Sequence, residues 1–242
     1  MPLPKVTAPT FELKLISTSK AIKYRPFLVK EEKALLIAME NGNDKDITAT
    51  IKEVMKGCVI SRVKIDDLPT FDLEYLFLNV RGKSVGETVD LIVTCQDDNK
   101  TQVPLTISLG DIKLHVPDGH TDIIDLGGGI KLKMKYPSMK QFLENNFLVT
   151  GSETNQKLID KAFESVAECI DQVFTEEDAW SSTDCTKKEL IAFVESLNSQ
   201  QFSKIEEFFT TMPRLQYKST VVNPNTEVES EVLVEGLSNF FA

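Results

Sequence analysis

Little in this chain is suited to catalysis. Its 242 residues include only two histidines, four cysteines and one tryptophan. The cysteines, Cys58, Cys95, Cys169 and Cys185, are widely separated and form no Cys-x-x-Cys pair. That spacing implies neither a zinc site nor a disulfide framework, and reads as four reduced thiols. Apolar runs extend only a few residues, so no membrane span is expected. Met1-Pro2-Leu3-Pro4-Lys5 holds no apolar signal region, and no secretion is expected. Basic excess is missing too. The net charge is −10, with 19 Lys/Arg against 19 Asp/Glu in residues 1–136 and 8 against 18 in residues 137–242. An acidic second half excludes the basic surface that displaces counterions from phosphates, so no nucleic-acid partner is expected.

What is present is a chain able to fold. Apolar residues make up 41%, enough for a substantial core. Phe11, Leu13 and Leu15 alternate with polar residues, Ser17-Thr18-Ser19 is a turn, and Ile22 and Tyr24 alternate again, which predicts a hairpin. Helices are expected from about Lys30 to Glu40, from Asp46 through Cys58, and from Leu68-Pro69 to just before Gly82. Val89, Leu91, Val93 and Cys95 share one face of a strand, and Val103, Leu105, Ile107 and Leu109 share one face of another. Asp97-Asp98-Asn99-Lys100 turns between them. Short strands flank Pro117-Asp118-Gly119, and Gly127-Gly128-Gly129 leads into Ile130–Tyr136. The second half reads as helices at Ser138–Phe147, Glu153–Phe174, Thr186–Leu197 and Ser199–Thr211, with an acidic loop at Thr175–Thr183 carrying Trp180. A final hairpin pairs Leu215–Val222 with Glu227–Glu235. Strands and helices are segregated rather than interleaved, so the expected class is α+β. By composition the chain divides into a mixed region at 1–136 with antiparallel hairpins, a helical acidic region at 137–212, and a C-terminal hairpin with a Phe-Phe tail at 213–242.

Each candidate for chemistry has a plainer reading. His115 and His120 flank a tight turn near Asp118 and Asp122, but further ligands at a metal-site spacing are missing. Gly127-Gly128-Gly129 precedes a strand, whereas a phosphate cradle needs a helix N-terminus. The acidic pairs Asp44/Asp46 and Asp97/Asp98 lack the ligand order of a calcium loop. Lys131, Lys133 and Lys135 form an outward stripe that reads as a solvated face. No catalytic residue, cofactor or metal is therefore expected. Phe240 and Phe241, with Leu237, place large apolar groups where disorder is the usual state. Burying one Phe gains about 2 kcal/mol, so this tail docks either on its own domain or on a partner. Trp180 joins these three as a candidate contact residue.

Several strings resemble the baseplate hub assembly proteins of T-even-like contractile-tailed bacteriophages. They are Met1-Pro2-Leu3-Pro4-Lys5, the run from Tyr24 to Lys33, the run from Phe71 to Gly86, Leu91–Asp98, and Gly236-Leu237-Ser238-Asn239-Phe240-Phe241. They occur in consistent order over most of the chain. The resemblance implies a non-enzymatic protein that helps build the central hub of the tail baseplate in the host bacterial cytoplasm. Its partners would be other baseplate hub or tape-measure proteins. Members of the family are described either as assembly factors or as hub subunits of the virion, and both readings stay open, as does a homo-oligomer. Members with cysteine pairs near the hairpin turns would carry a zinc ribbon; here a single Cys95 precedes one turn and the last hairpin has none.

Overall fold

The computed structural model describes residues 7–40, 44–138, 141 and 155–235. The chain is α+β with antiparallel pairing in every described sheet. It divides into two compact units, Met1–His115 with Arg214–Ala242, and Val116–Pro213. The second is thus an insertion in the first. It leaves after strand β5 (Lys113–His115) and returns at β10 (Arg214–Val222), and His115 and Arg214 are register partners in neighbouring strands. This spatial division cuts across the segments 1–136, 137–212 and 213–242, which follow element type along the chain.

In the first unit β1 (Phe11–Lys14) and β2 (Ala21–Tyr24) form the expected hairpin, followed by α1 (Val29–Glu40) and α2 (Asp44–Cys58). Helix α3 (Thr70–Val85) is apolar on more than one side. Phe71, Leu73, Leu76, Phe77, Leu78 and Val80 are all buried, as suits a helix packed on several faces. Its buried Asp72 carboxylate accepts from the backbone N–H groups of Ile16 (2.8 Å) and Ser17 (3.1 Å) and from the Ser17 hydroxyl. That fixes the β1–β2 turn against the helix. The helix continues through Gly82 instead of stopping before it. A Cβ at Gly82 would lie 3.3 Å from Leu109 Cδ1, so glycine serves close packing there. The stop is Gly86, whose φ of +128° disfavours other residues.

β3 (Thr88–Thr94) pairs with β4 (Gln102–Ser108), and β11 (Glu229–Glu235), β10 and β5 form a three-stranded sheet. Leu78 of α3 joins Val89, Leu91, Ile107, Leu215, Val221, Val232 and Val234 in one core.

The inserted unit is built on a four-stranded sheet in the order β6 (Ile123–Gly127), β7 (Ile130–Met134), β8 (Ile170–Phe174), β9 (Ala179–Ser181). Its helices among the described residues are α4 (Asn155–Glu168), α5 (Lys187–Glu195) and α6 (Ser199–Thr210). Ile124, Leu126, Leu132, Met134, Ile170 and Val173 from the sheet bury against Ala167, Val194, Ile205 and Phe208 from the helices. Helices α5 and α6 start where capping boxes dictate, at Thr186 with Glu189 and at Asn198 with Gln201.

Two expectations fail here. The helix expected over Glu153–Phe174 ends at Glu168, and Ile170–Phe174 is a central strand. The register to β7 shifts between Lys133 and Met134, so Leu132 meets Val173 but Met134 meets Ile170. The irregularity turns both Ile170 and Val173 inward despite their three-residue spacing, which imitates a helix. The expected acidic loop contains β9, paired to β8 across a turn in which Thr175 N–H donates to Asp178 O (2.8 Å). The expected helix at Ser138–Phe147 lies largely outside the described residues.

Candidate interaction surfaces

Of the four residues expected to make contacts, Leu237, Phe240 and Phe241 lie outside the described residues. Trp180 is at the centre of β9 opposite Val173 and is 48% exposed. It therefore extends the buried side of the sheet to its edge, where half of the ring stays in water.

The sheet of the inserted unit also has an outer face. Register places Ile123, Lys133, Gln172 and Ser181 across it in one row, and Asp125, Lys131, Phe174 and Ala179 in the next. A shallow depression of about 420 Å3 lies on this face, floored by Ile123, Gln172, Phe174 and Ala179 and bordered by Glu176, Glu177 and Asp178. The lysine in its wall, Lys133, is paired with Asp171 at 2.9 Å, which holds its ammonium above the ordinary lysine range. The expected solvated lysine stripe is thus partly engaged, and Lys135 Nζ also reaches Ser182 Oγ at 3.5 Å.

A second exposed patch lies on α1 of the first unit. Val29, Leu36 and Ile37 are 79%, 59% and 49% exposed. They recur at one-turn multiples and share one side of the helix, while Leu35 and Ala38 face the core. The preceding turn is held by Glu31. Its carboxylate receives Arg25 Nη2 (3.0 Å) and the Leu28 N–H (2.6 Å). Burial acts to raise the Glu31 pKa, but these donors outweigh it and the carboxyl stays below its ordinary value.

The two histidines do not act as a pair. His115 ends β5 opposite Arg214, whereas His120 belongs to the inserted unit. His120 Nδ1 lies 2.9 Å from Thr211 Oγ1 and Nε2 lies 2.9 Å from Tyr136 Oη. Thr211 donates its own proton to Glu207 O at 2.7 Å. The threonine oxygen therefore accepts from Nδ1–H, and Nε2 accepts the tyrosine proton. The ring also stacks on Phe208. Burial pushes its pKa below the ordinary value, against an opposing pull from Asp122. No group of three or more His, Cys, Asp or Glu is placed to hold a metal among the described residues. Gly127, Gly128 and Gly129 all have positive φ and turn β6 into β7.

Two hairpin tips distant in sequence meet in the first unit. Asn223, fully buried, donates through Nδ2 to both oxygens of Asp97 at 3.0 Å, and Thr226 Oγ1 donates to Asp97 Oδ2 at 2.5 Å. Asn225 Nδ2 donates to Thr101 Oγ1 at 2.9 Å. Asp98 receives the Thr101 hydroxyl (2.5 Å) and the backbone N–H groups of Thr101 and Lys100. Both carboxyls are held below the ordinary aspartate range, Asp97 by Thr226 and Asn223, Asp98 by Thr101 and then the backbone donors.

The profile of a family described as "T4 bacteriophage base plate protein" matches residues 8–242. The chain belongs to this family. No curated protein and no solved structure matches it. Membership covers both units and the hairpin tips alike, and it gives the chain a structural or assembly role in the phage baseplate.

In this baseplate protein the tips of β3–β4 and β10–β11 are joined by amide, hydroxyl and carboxylate groups. Cys95, just before the first tip, is buried, and Cys58 and Cys169 are buried as well. Burial pushes the Cys58 thiol up to about 11 and that of Cys169 up to about 12, so both stay protonated and act as small apolar groups. The outer-face depression and the α1 patch were not singled out in the sequence. The first depends on strand register, and the second differs from a core-facing stripe only in which side of α1 the rest of the unit covers.

Proposed function

We propose that this baseplate protein assists assembly of the baseplate's central hub by binding other proteins, without catalysis. The family match over residues 8–242 carries this reading. Exposed apolar groups on α1 and at Trp180 support it, since binding proteins present such surfaces. Its partners would be other hub subunits or tape-measure proteins, met in the host cytoplasm, with Trp180, Leu237, Phe240 and Phe241 as anchors. Affinity purification from infected cells tests this. The full chain should retain hub or tape-measure proteins, and a chain lacking Leu237–Ala242 should fold but lose them. Retention of the same proteins at the same yield by the shortened chain overturns the role of the tail. Recovery of no baseplate protein by the full chain overturns the reading itself.

A second reading, a permanent structural subunit of the hub, is favoured by the family description, which names the base plate itself. Mass spectrometry of purified particles separates the two. Peptides at stoichiometric levels mean a virion subunit, and their absence means an assembly factor.

A further inference from the structure

The outer face of the β6–β9 sheet and the outward side of β9, where Ser181 O accepts from Asp184 N–H at 3.0 Å, form a surface that sequence alone did not suggest. Ladder contacts fix which way β9 faces. Asp178 O accepts from Thr175 N–H, and Ser182 N–H donates to Asp171 O at 2.8 Å. Antiparallel bonding alternates along a strand, so Trp180 bonds toward β8 while Ala179 and Ser181 turn their N–H groups the other way. No described strand pairs with that side. The depression on the outer face runs from Ala179 and Phe174 near this edge across to Ile123 on β6, the far edge strand, which is 45% exposed. The outer face itself is mixed, with Lys131 and Lys133 beside Asp125 and Asp171, and the negative excess comes from the rim and from the unit as a whole. The inserted unit, residues 116–213, holds 9 Lys/Arg and 17 Asp/Glu and so carries −8 of the total −10. At the rim Glu176, Glu177 and Asp178 are all exposed, and Lys133 is already paired with Asp171.

We infer that this sheet edge and face bind an extended, lysine- or arginine-bearing segment of a partner protein. The segment adds alongside β9, lays alternate side chains next to Ala179 and Ser181, and brings its cations to Glu176, Glu177 and Asp178. Main-chain bonds to an exposed edge supply affinity, and alternate side chains supply choice. Charge selects the occupant: a second copy of this acidic unit would be repelled, and a basic segment is attracted. This inference deepens the protein-binding reading and rests on it for biological meaning, but its test uses purified components. Failure here leaves the hub reading standing, and failure to recover baseplate partners leaves this surface standing.

The full chain is titrated against a short fluorescent peptide in which lysine alternates with valine, and against its glutamate–valine counterpart, by fluorescence anisotropy. The lysine peptide should bind at least about tenfold more tightly, and less tightly as salt is raised. The double variant Glu176→Lys/Glu177→Lys should weaken it at least about fivefold. Glu206→Lys/Glu207→Lys, the same charge change on α6 in the layer across the sheet, should have a much smaller effect. Backbone N-methylation of the peptide should remove binding if it adds as a strand. Equal weakening by the two double variants would reduce the effect to overall charge and overturn the site. Unchanged affinity of the methylated peptide would overturn strand addition. Equal binding of the acidic peptide, or no binding of the basic one, would overturn the inference as a whole.

Discussion

Glu74 on α3 should make the first unit progressively less stable between pH 4.5 and 7. Burial, reinforced by the negative charge of Glu235 and opposed only by Arg214, pushes its carboxyl from the ordinary 4.5 up to about 7. The neighbours do not relieve it. Arg214 is 3.9 Å from Glu235, Gln216 Nε2 also donates to Glu235, and Gln216 Oε1 is buried without a hydrogen-bond partner. A carboxyl whose pKa is raised by folding binds its proton more tightly in the folded state. Its stabilising contribution is fully present below pH 4.5 and is lost as pH rises through about 7. At about 1.4 kcal/mol per pH unit, that interval amounts to roughly 3 kcal/mol by pH 8. Glu74→Gln keeps the shape and removes the charge. It should leave stability near pH 4.5 almost unchanged and raise it by about 2–3 kcal/mol at pH 8. For a chain of this size that corresponds to a gain of roughly 5–10 °C in the melting temperature of the first unit. Urea unfolding followed by far-ultraviolet circular dichroism at steps from pH 4.5 to 8 measures both proteins. The variant-minus-parent difference cancels every other titrating group that behaves alike in the two. A difference that stays flat across the range would refute the argument, because Glu74 would then be ionised or solvated in the fold at all these pH values.

Three further outcomes are expected. Asn223→Ala removes the buried amide that joins the two hairpin tips, and should cost about 1–3 kcal/mol in urea unfolding; a loss too small to measure would mean the tips are held by other contacts. Asn198→Ala deletes the cap of α6 and should cost about 1 kcal/mol, with amide exchange accelerated in the first turn of that helix. Because burial lowers the His120 pKa, the inserted unit should lose stability as pH falls below 6.5, and His120→Phe should remove that acid sensitivity. Trp180 fluorescence reports it directly, since this is the chain's only tryptophan, and parallel acid titrations of variant and parent would contradict the assignment.

The elements that were legible in the sequence are those whose signals are local. Alternation across Phe11–Tyr24 and Val89–Leu109 and the apolar spacing in α2 concern residues that meet within a turn or a hairpin. Such patterns survive whatever the rest of the chain does, and the α+β class follows from them. Ile170–Phe174 went unread because a register shift against β7 turns Ile170 and Val173 the same way, and a three-residue apolar spacing is the mark of a helix. Its strand character comes from pairing with β7, contributed by residues some forty positions earlier, and not from its own neighbours.

Tertiary structure alone decided three further things. It placed Val116–Pro213 as an insertion between β5 and β10, with most of the negative charge. It brought Asp97 to Asn223, 126 positions apart, making one junction of two separate turns. It also set which apolar residues stay in water, leaving Val29, Leu36 and Ile37 exposed on α1 while Leu35 is buried. Composition and period determine that a segment can fold and which faces it has. Which face is covered depends on contacts between residues far apart in the chain, and those exist only once the chain has folded.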